Sequence, residues 1–381
     1  MSLSTRRDLV GRFRGEYADA DRAGKGRILD SLCEATGWNR KYAVQALRSL
    51  TLSPKKQVRT RRRVYGPHEE AILVKVWHLS GHLASKRLAP FMEEFLEVLE
   101  RHGELQLWPA SRDRMAKMSA STIDRLLRRH KRTRPPGYFS TKPGSLIKRQ
   151  IAIRMGSGWD ETRPGFVEVD TVAHCGGSLH CGFLWTLTLT DVATGWTEAV
   201  ALKNRGGREV MRGLRVLRNR LPFELLGIDS DNGSEFIHWS LVKFCKAANI
   251  QLTRCRPYHK NDQCRVEQKN GAIVRRHAGH GRYETEDQYH LLCRLYGVLR
   301  HLCNYFEPSL KGKEKARTPY RRLLESECLN EALSNELEAH RLSLNPVKLR
   351  KELQDIKMEL FDLDSTTSFL RDASIPVGSG F

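Results

Sequence analysis

The sequence lacks the features of a membrane-spanning or secreted protein. No stretch approaches the roughly 18 consecutive apolar residues that a membrane-spanning helix needs. The N-terminus is charged and unlike a secretory signal. The 9 cysteines are irregularly spaced and form no Cys-x-x-Cys pair, which favours free thiols in a reducing compartment. We therefore expect a soluble, cytoplasmic protein that has no membrane partner.

The first 150 residues contain few acidic residues relative to their many basic ones. They hold 32 Lys and Arg against 15 Asp and Glu, a net charge of +17, whereas residues 151–381 hold 33 against 29, or +4. This excess of positive charge indicates a polyanionic partner, and nucleic acid is the one we favour. A solvated basic surface without a ligand is the alternative interpretation.

Three carboxylates stand where a metal-dependent site acting on nucleic acid would need them. Asp170 closes the apolar run 166–170, and Asp231 follows a second apolar run at 225–229. Glu267 lies 36 positions after Asp231, in a segment with a helical pattern. Acids at strand ends point into one cleft, and such a triad can hold two hard cations around a phosphate. The alternative is that these are ordinary turn acids, because Asp-Asn-Gly is itself a turn signal.

The segment 164–308 resembles the catalytic core of DDE insertion-sequence transposases and integrases, which belong to the retroviral-integrase superfamily. The resemblance implies that Asp170, Asp231 and Glu267 are the catalytic metal ligands and that each active site uses two Mg²⁺ or Mn²⁺ ions. Glu168 and Asp262 are weaker candidates for the same role. The matching motifs are Phe-Val-Glu-Val-Asp at 166–170, Trp-Thr-Leu-Thr-Leu-Thr-Asp at 185–191 with Thr-Gly-Trp at 194–196, Ser-Asp-Asn-Gly-Ser-Glu-Phe at 230–236, and Arg-Pro-Tyr-His-Lys-Asn-Asp at 256–262 leading to Val-Glu-Gln-Lys-Asn at 266–270.

The same resemblance implies a function. A transposase or integrase of this kind binds the ends of a mobile element as double-stranded DNA, cuts them, and joins them to target DNA. It acts as a homo-oligomer on DNA and is associated with the nucleoid if bacterial. Two other functions stay open: a catalytically silent DNA-binding relative, and a nuclease of the same fold that does not join strands. A tyrosine recombinase is disfavoured, because no convincing Arg-His-Arg-Tyr spacing is present.

The pattern of the core predicts mixed α/β structure, which matches the ribonuclease H-like fold that the resemblance implies. Basic and polar side chains around the third acid are candidate DNA contacts, and Asn270 would share a helical face with Glu267. These candidates are Arg256, Lys260, Lys269 and Asn270. The predicted elements are strands at 166–171, 183–190, 197–202, 225–229 and 251–254, and helices at 207–221 and 235–248.

An all-α, helix-turn-helix DNA-binding region is predicted ahead of this core. In its first unit, a helix over 27–35 is followed by a break at 36–38 and a second helix over 39–50, which Asn39 can cap. This second helix would enter the major groove of DNA. A plain helical hairpin is the alternative. The candidate DNA contacts on the second helix are Arg40, Lys41 and Arg48.

A second helix-turn-helix unit is predicted near 118–127, where a serine caps a helix that runs into a basic tail. Between the two units, the basic run 59–63 is predicted to be an arm that contacts the DNA backbone or minor groove. The candidate contacts are Arg125, Arg128 and Arg129 in the second unit and Arg61, Arg62 and Arg63 in the arm.

A further cluster, His174, Cys175, His180 and Cys181, is interpreted as part of a hairpin turn, because its spacing is unlike that of zinc sites.

The predicted domain organisation has five parts. They are a helix-turn-helix region at 1–60, a second helical DNA-binding region at 61–132, a basic linker at 133–163, the catalytic core at 164–308, and a mostly helical region at 309–381.

Overall fold

A computed structural model shows two compact units, Met1–Val64 and Tyr65–Phe381, which are described separately below. No helix among the described residues is both long and apolar enough to cross a lipid bilayer. The structure describes residues 3–48, 64–131, 152–153, 162–178, 180, 182–231, 233, 235–236, 238–254, 266, 269–311 and 314–363.

The first unit is a bundle of three helices, α1 (Leu3–Asp19), α2 (Arg22–Thr36) and α3 (Arg40–Arg48). Helix α2 is followed by Gly37, whose φ of 69° places it in the left-handed region that glycine adopts easily. The Asn39 side chain accepts a hydrogen bond from the Tyr42 backbone N–H at 2.8 Å, which confirms the predicted cap of the following helix. The sequence prediction did not include α1. The buried residues of this helix include Val10 and Tyr17, which pack with Leu29, Leu32 and Leu47.

The second unit begins with a helical region of four helices. They are α4 (Pro67–Leu79), α5 (Ser85–Arg101), α6 (Pro109–Ala116) and α7 (Ala120–Leu127), and a short 3₁₀ turn, Arg128–His130, follows. The predicted serine cap is Ser119, whose hydroxyl accepts a hydrogen bond from the Thr122 N–H at 3.3 Å. Ile123 and Leu127, which lie one turn apart on α7, are fully buried in the core of this region.

A six-stranded mixed sheet forms the centre of the second unit, with the strand order β1-β6-β5-β2-β3-β4. Strands β2, β3 and β4 form an antiparallel meander, whereas β5 pairs parallel to β2, and β6 joins β5 and β1 in parallel. Strand β1 lies inside the segment predicted as a linker. The strands are β1 (Ala152–Ile153), β2 (Phe166–Ala173), β3 (Trp185–Asp191), β4 (Thr197–Leu202), β5 (Gly227–Ser230) and β6 (Gln251–Arg254).

Helices cover both faces of the sheet. On one face, Leu214 and Leu217 of α8 pack with Val169 of β2 and Leu189 of β3. On the other face, α11 packs against β4 and α14. The helices of this part are α8 (Gly207–Arg220), α9 (Trp239–Ala247), α10 (Arg276–Ala278), α11 (Glu286–His301), α12 (Pro319–Glu325), α13 (Glu331–Ser343) and α14 (Pro346–Asp362); two π-helical segments, Asn270–Arg275 and Leu302–Phe306, precede α10 and follow α11.

The helical region before the sheet shares one hydrophobic core with the C-terminal helices. Phe95 of α5, Leu292 of α11 and Ile356 of α14 belong to the same cluster of buried side chains. Ion pairs follow the same boundary, because Glu94 of α5 contacts Arg321 at 3.2 Å and Arg341 at 3.3 Å. Leu353, Ile356 and Leu360 of α14 lie in this cluster, so this face of the helix packs within the chain.

The outer edge of β4 is closed by side chains. The Asn304 amide accepts from the Thr197 N–H and donates to the Thr197 carbonyl oxygen, both at 2.9 Å. Two residues further along, the Arg220 guanidinium donates to the Ala199 carbonyl oxygen at 3.3 Å. These outward-facing backbone groups of a terminal strand are thus satisfied without another strand.

Candidate active site

The strand register places two of the three predicted catalytic acids side by side. The parallel pairing of β2 with β5 ends at Val169 and Ser230. Asp170 and Asp231 are the next residues along these two neighbouring segments, and both are half-buried. Because neighbouring strands lie about 4.8 Å apart, the backbones of the two acids lie next to each other, just beyond the last paired residues of β2 and β5. The Asp231 carboxylate also accepts a hydrogen bond from the Gly233 N–H at 2.8 Å.

The Asp170 carboxylate is held in place by hydrogen bonds to both of its oxygens. Oδ1 accepts from the Thr171 N–H at 2.7 Å, and Oδ2 accepts from the Asn270 side-chain amide at 2.6 Å. The Thr188 hydroxyl donates to the amide oxygen of Asn270 at 2.6 Å. This contact determines which end of the amide faces Asp170. Asn270 begins a π-helical segment, a conformation that is frequent at functional sites.

The third predicted acid, Glu267, lies outside the described residues, as do the weaker candidate Asp262 and the candidate contacts Arg61, Arg62, Arg63, Arg256 and Lys260. Val266, which precedes Glu267 in the sequence, is described and is fully buried. The Val266 N–H donates to the Glu168 carboxylate at 3.0 Å. Glu168 is itself fully buried, two residues before Asp170 on the same face of β2. Glu168 therefore ties the backbone next to Glu267 to the strand that carries Asp170.

A fourth carboxylate, Glu235, lies close to this pair, and the sequence interpretation did not single it out. Its Oε1 accepts from the Thr171 hydroxyl at 3.0 Å. A side chain added at Gly233 would meet Asp231 Oδ1 at 2.7 Å and Glu235 Oε1 at 2.8 Å, so the two carboxylates converge at this glycine. The available signal was the position of Glu235 in the same short motif as Asp231.

The chemistry of these donors suits a hard divalent cation, because carboxylate oxygens are the ligands that Mg²⁺ and Mn²⁺ prefer. Each carboxylate oxygen has two lone pairs, with which it can accept hydrogen bonds or coordinate a cation. Within the described part of the chain, no group of three His, Cys, Asp or Glu side chains has the arrangement of a metal site. The described residues thus supply two of the three predicted ligands.

Two other acids near the sheet ends have internal partners. Asp191 is fully buried and accepts from the Gly165 N–H at 2.8 Å and from the Thr194 N–H at 2.7 Å. Burial raises the pKa of this carboxyl, and these hydrogen bonds oppose the increase. Asp191 therefore stabilises the turn that follows β3. Asp229 of β5 accepts from the Thr253 hydroxyl at 2.6 Å.

The candidate DNA contacts outside the active site fall into two groups. On α3, Lys41 and Arg48 are exposed, and Arg40 forms an ion pair with Asp30. The other described candidates lie in the second unit. Arg125 and Arg128 are exposed, Arg129 pairs with Glu70, and Lys269 is half-buried, with a pKa that loss of hydration lowers.

His174, one of the residues in the cluster interpreted as a turn, points into the protein. It is fully buried, and its Nε2 lies 2.7 Å from the Thr186 hydroxyl, which in turn contacts the Tyr296 hydroxyl at 2.5 Å. Burial lowers the pKa of His174 to about 3, and the charge of Arg275 contributes in the same direction. His174 is therefore a neutral core residue at physiological pH.

Comparison with known proteins is consistent with this geometry. Residues 160–260 match the family described as Integrase core domain. The chain is 42% identical over 321 residues to the uncharacterized protein y4rM of Sinorhizobium fredii (strain NBRC 101917 / NGR234), covering 83% of this chain and 91% of the relative. It is also 32% identical over 92 residues to the Pro-Pol polyprotein of feline foamy virus, which is 24% of this chain and 8% of that polyprotein.

Proposed function

Because the chain belongs to the integrase core-domain family, we propose that it is a DNA transposase or integrase that cuts and joins DNA at the ends of a mobile element. The observation that supports this most directly is the placement of Asp170 and Asp231 on two adjacent parallel strands, each one residue beyond the last pair, Val169 and Ser230. Proteins of this superfamily typically use divalent metal ions, and the oxygen donors at this edge suit such ions.

In the proposed reaction, Asp170, Asp231 and Glu267 would hold two Mg²⁺ or Mn²⁺ ions. When bound, these ions neutralise phosphate charge and lower the pKa of a bound water. Water attacks the phosphorus in line and breaks its bond to the 3′-oxygen, so that one fragment carries a 5′-phosphate and the other, after its oxygen takes up a proton, a free 3′-hydroxyl. That hydroxyl then attacks a phosphodiester of the target DNA, releasing one target 3′-hydroxyl as the new bond forms. Asn270 and Thr188 keep the Asp170 carboxylate in one orientation throughout, because their hydrogen bonds fix it within the protein.

The helical regions would bind the ends of the element in a sequence-specific manner. The exposed residues Lys41 and Arg48 on α3, and Arg125 and Arg128 at α7, are available for contacts with phosphates or bases. We propose that α3 and α7 act as recognition helices, that the basic run at 59–63 is an arm, and that copies of the protein assemble on the two ends in the cytoplasm.

The test is a strand-transfer assay with the full chain, Mg²⁺ or Mn²⁺, and DNA carrying the ends that flank its own gene. Glu267→Gln and Asp170→Asn are run beside the wild type, and Glu352→Gln, an exposed site on α14, is the matched control. We expect joined products from the wild type and the control, and a loss of at least about 100-fold in both active-site variants, because each removes a proposed metal ligand.

Three other results would lead to different conclusions. Cleavage without joining would identify a nuclease of the same fold. Specific binding to the ends without cleavage by the wild type would identify a catalytically silent DNA-binding relative. Full activity of Glu267→Gln would remove Glu267 from the proposed site.

A further inference from the structure

One hydrophobic core connects helix α7 with the segment that follows Glu267. Ile123 and Leu127 of α7 belong to the same cluster of buried side chains as Ile273 and Val274 of the π-helical segment. Leu127 and Val274 are fully buried. A close-packed core transmits a displacement instead of absorbing it, because its side chains interlock with few voids. Helix α7 and the π-helical segment are therefore held at a constant distance from each other.

The turn between α4 and α5 adds a polar attachment between the same two regions. The Arg276 guanidinium, directly after the π-helical segment, donates to the Gly81 carbonyl oxygen at 2.8 Å. The turn has its own hydrogen bonds, from the Gly81 N–H to the His78 carbonyl oxygen at 3.0 Å and from the His82 N–H to the Trp77 carbonyl oxygen at 2.9 Å. Both α4 and α5 pack against α7, so Arg276 ties its segment to the helices that support α7.

Only glycine fits this turn at position 81. Its φ of 71° lies in the left-handed region, and a side chain there would overlap with the Arg350 guanidinium of α14. Arg350 also contacts the Glu307 carboxylate at 3.5 Å. Burial acts to raise the pKa of Glu307, but the charges of neighbouring side chains, Arg350 foremost, outweigh it and lower this pKa. Glu307 is therefore ionised and keeps Arg350 against the turn that Arg276 binds.

From this arrangement we propose that the second unit sets the position of the cut. The cleaved phosphodiester lies at a fixed number of base pairs from those that α7 binds, and Arg276 is a positioning residue that keeps this number constant. The proposal rests on the proposed function and adds to it a rule for where the DNA is cut. Arg276 acts through Asn270, which begins the same segment and donates to Asp170 at 2.6 Å. Phosphoryl transfer depends chiefly on positioning, so a constant distance selects one phosphodiester.

The first experiment maps the cut on the element end at nucleotide resolution, with the full chain and Mg²⁺. The base pairs that wild type protects and that Arg125→Gln/Arg128→Gln does not protect define the sequence bound by α7. One base pair is then inserted between this sequence and the cut. We expect the cut to move by one nucleotide, so that its distance from the α7 sequence is unchanged. A cut that stays at the original phosphodiester would overturn the proposal.

Variants of Arg276 test its role in the same assay. We expect Arg276→Gln to cut at several adjacent positions, with an affinity for the end within about twofold of wild type, because α7 itself is unchanged. Arg276→Lys can still donate to the Gly81 carbonyl oxygen and should cut at one position. Arg294→Gln is the matched control, because it removes another exposed arginine that joins two elements, through Glu359 at 3.2 Å. Slower cleavage by Arg276→Gln at one unchanged position would overturn the proposal, because that pattern indicates a purely structural role.

A second experiment does not depend on cleavage. Hydrogen exchange is followed by mass spectrometry with a duplex that contains the α7 sequence but ends before the cut, so that the DNA reaches the protein through α7 and not through the active site. We expect slower exchange in α7 and in residues 270–278 with wild type, and in α7 alone with Arg276→Gln. Unchanged exchange of residues 270–278 with wild type would overturn the proposal whether or not the DNA is cut. Slower exchange there, without cleavage of the complete end by wild type, would retain the link to α7 and reject the proposed function.

Discussion

Asn270 links the orientation of Asp170 to the π-helical segment that follows the third acid. Its amide nitrogen donates to Asp170 and its amide oxygen accepts from Thr188, so the nitrogen and the oxygen cannot exchange places. Asn270→Asp would place a second carboxylate within 2.6 Å of the first, where like charges oppose full ionisation of both. We expect a loss of about 10–100-fold in the strand-cleavage rate, the range found when a partner of a metal ligand is removed.

Asn330→Asp is the matched control, because Asn330 caps α13 through its side-chain oxygen and aspartate can do the same. Measured cleavage rates at saturating DNA should be unchanged in this control. An active Asn270→Asp enzyme would show that the Asp170 orientation does not depend on this amide.

His174 predicts a pH dependence of stability. Its pKa is about 3 in the folded chain, below the ordinary value of 6.5, so between these values the unfolded chain binds more protons. The stabilising contribution is complete above pH 6.5 and is lost as the pH falls from 6.5 towards 3. At pH 4 the loss is roughly 3 kcal/mol by linkage. His174→Gln keeps a partner for Thr186 without titrating, so its free energy of unfolding should fall less steeply on acidification.

The measurement is chemical denaturation of both proteins between pH 4 and pH 8. His180→Gln, which replaces an exposed histidine, should follow the wild-type curve. If His174→Gln and wild type fall with the same slope, His174 is not the group responsible.

At the scale of secondary structure, the sequence predicted the central sheet better than its surroundings. Strands β2, β3 and β4 are apolar runs or alternating patterns that are long enough to recognise in the sequence. Asp231 directly follows β5, as predicted, whereas Asp170 lies inside β2, because β2 continues to Ala173 in its pairing with β3. Strand β1 has only two residues and pairs with a strand about 100 positions away, so no local pattern indicates it. Glu235 was missed for a similar reason, because its contact with Thr171 joins distant parts of the chain.

Glu168 connects two elements, β2 and the backbone at Val266 beside the third acid. Glu168→Gln keeps an oxygen that can accept from the Val266 N–H, whereas Glu168→Ala removes it. We therefore expect Glu168→Gln to retain cleavage within about threefold and Glu168→Ala to lose at least about tenfold. Leaving this N–H without a partner in a buried position costs about 1–3 kcal/mol.

Hydrogen exchange followed by mass spectrometry provides the structural measurement for this pair. The peptide containing Val266 should exchange faster in Glu168→Ala than in wild type and Glu168→Gln. Equal exchange in all three proteins would show that Glu168 does not anchor this segment.

At the scale of the whole molecule, positive charge is concentrated in residues 1–150, and part of it lies on α3 in the first compact unit. If Lys41 and Arg48 each neutralise one phosphate, the double variant Lys41→Gln/Arg48→Gln should lower the slope of log binding constant against log salt by about 2. The control variant Lys315→Gln/Lys351→Gln, which also removes two positive charges from exposed sites but outside this region, should leave the slope unchanged.

Binding is measured by fluorescence anisotropy with the element-end duplex over a range of NaCl concentrations. An unchanged slope in Lys41→Gln/Arg48→Gln would exclude α3 as a phosphate-binding surface. A change of similar size in the control would indicate nonspecific attraction instead of a defined contact.

The two outer edges of the sheet determine whether copies of this protein can pair through their strands. At one edge, the described part of β1 has two residues, and at the other the Asn304 amide and the Arg220 guanidinium occupy backbone groups of β4 that a further strand would use. A strand whose outer backbone groups are occupied in this way is a poor template for strand addition, which is the first step of amyloid-like growth. High local concentrations, such as those on clustered DNA sites, therefore carry little risk of fibrils that nucleate at the outer edge of β4.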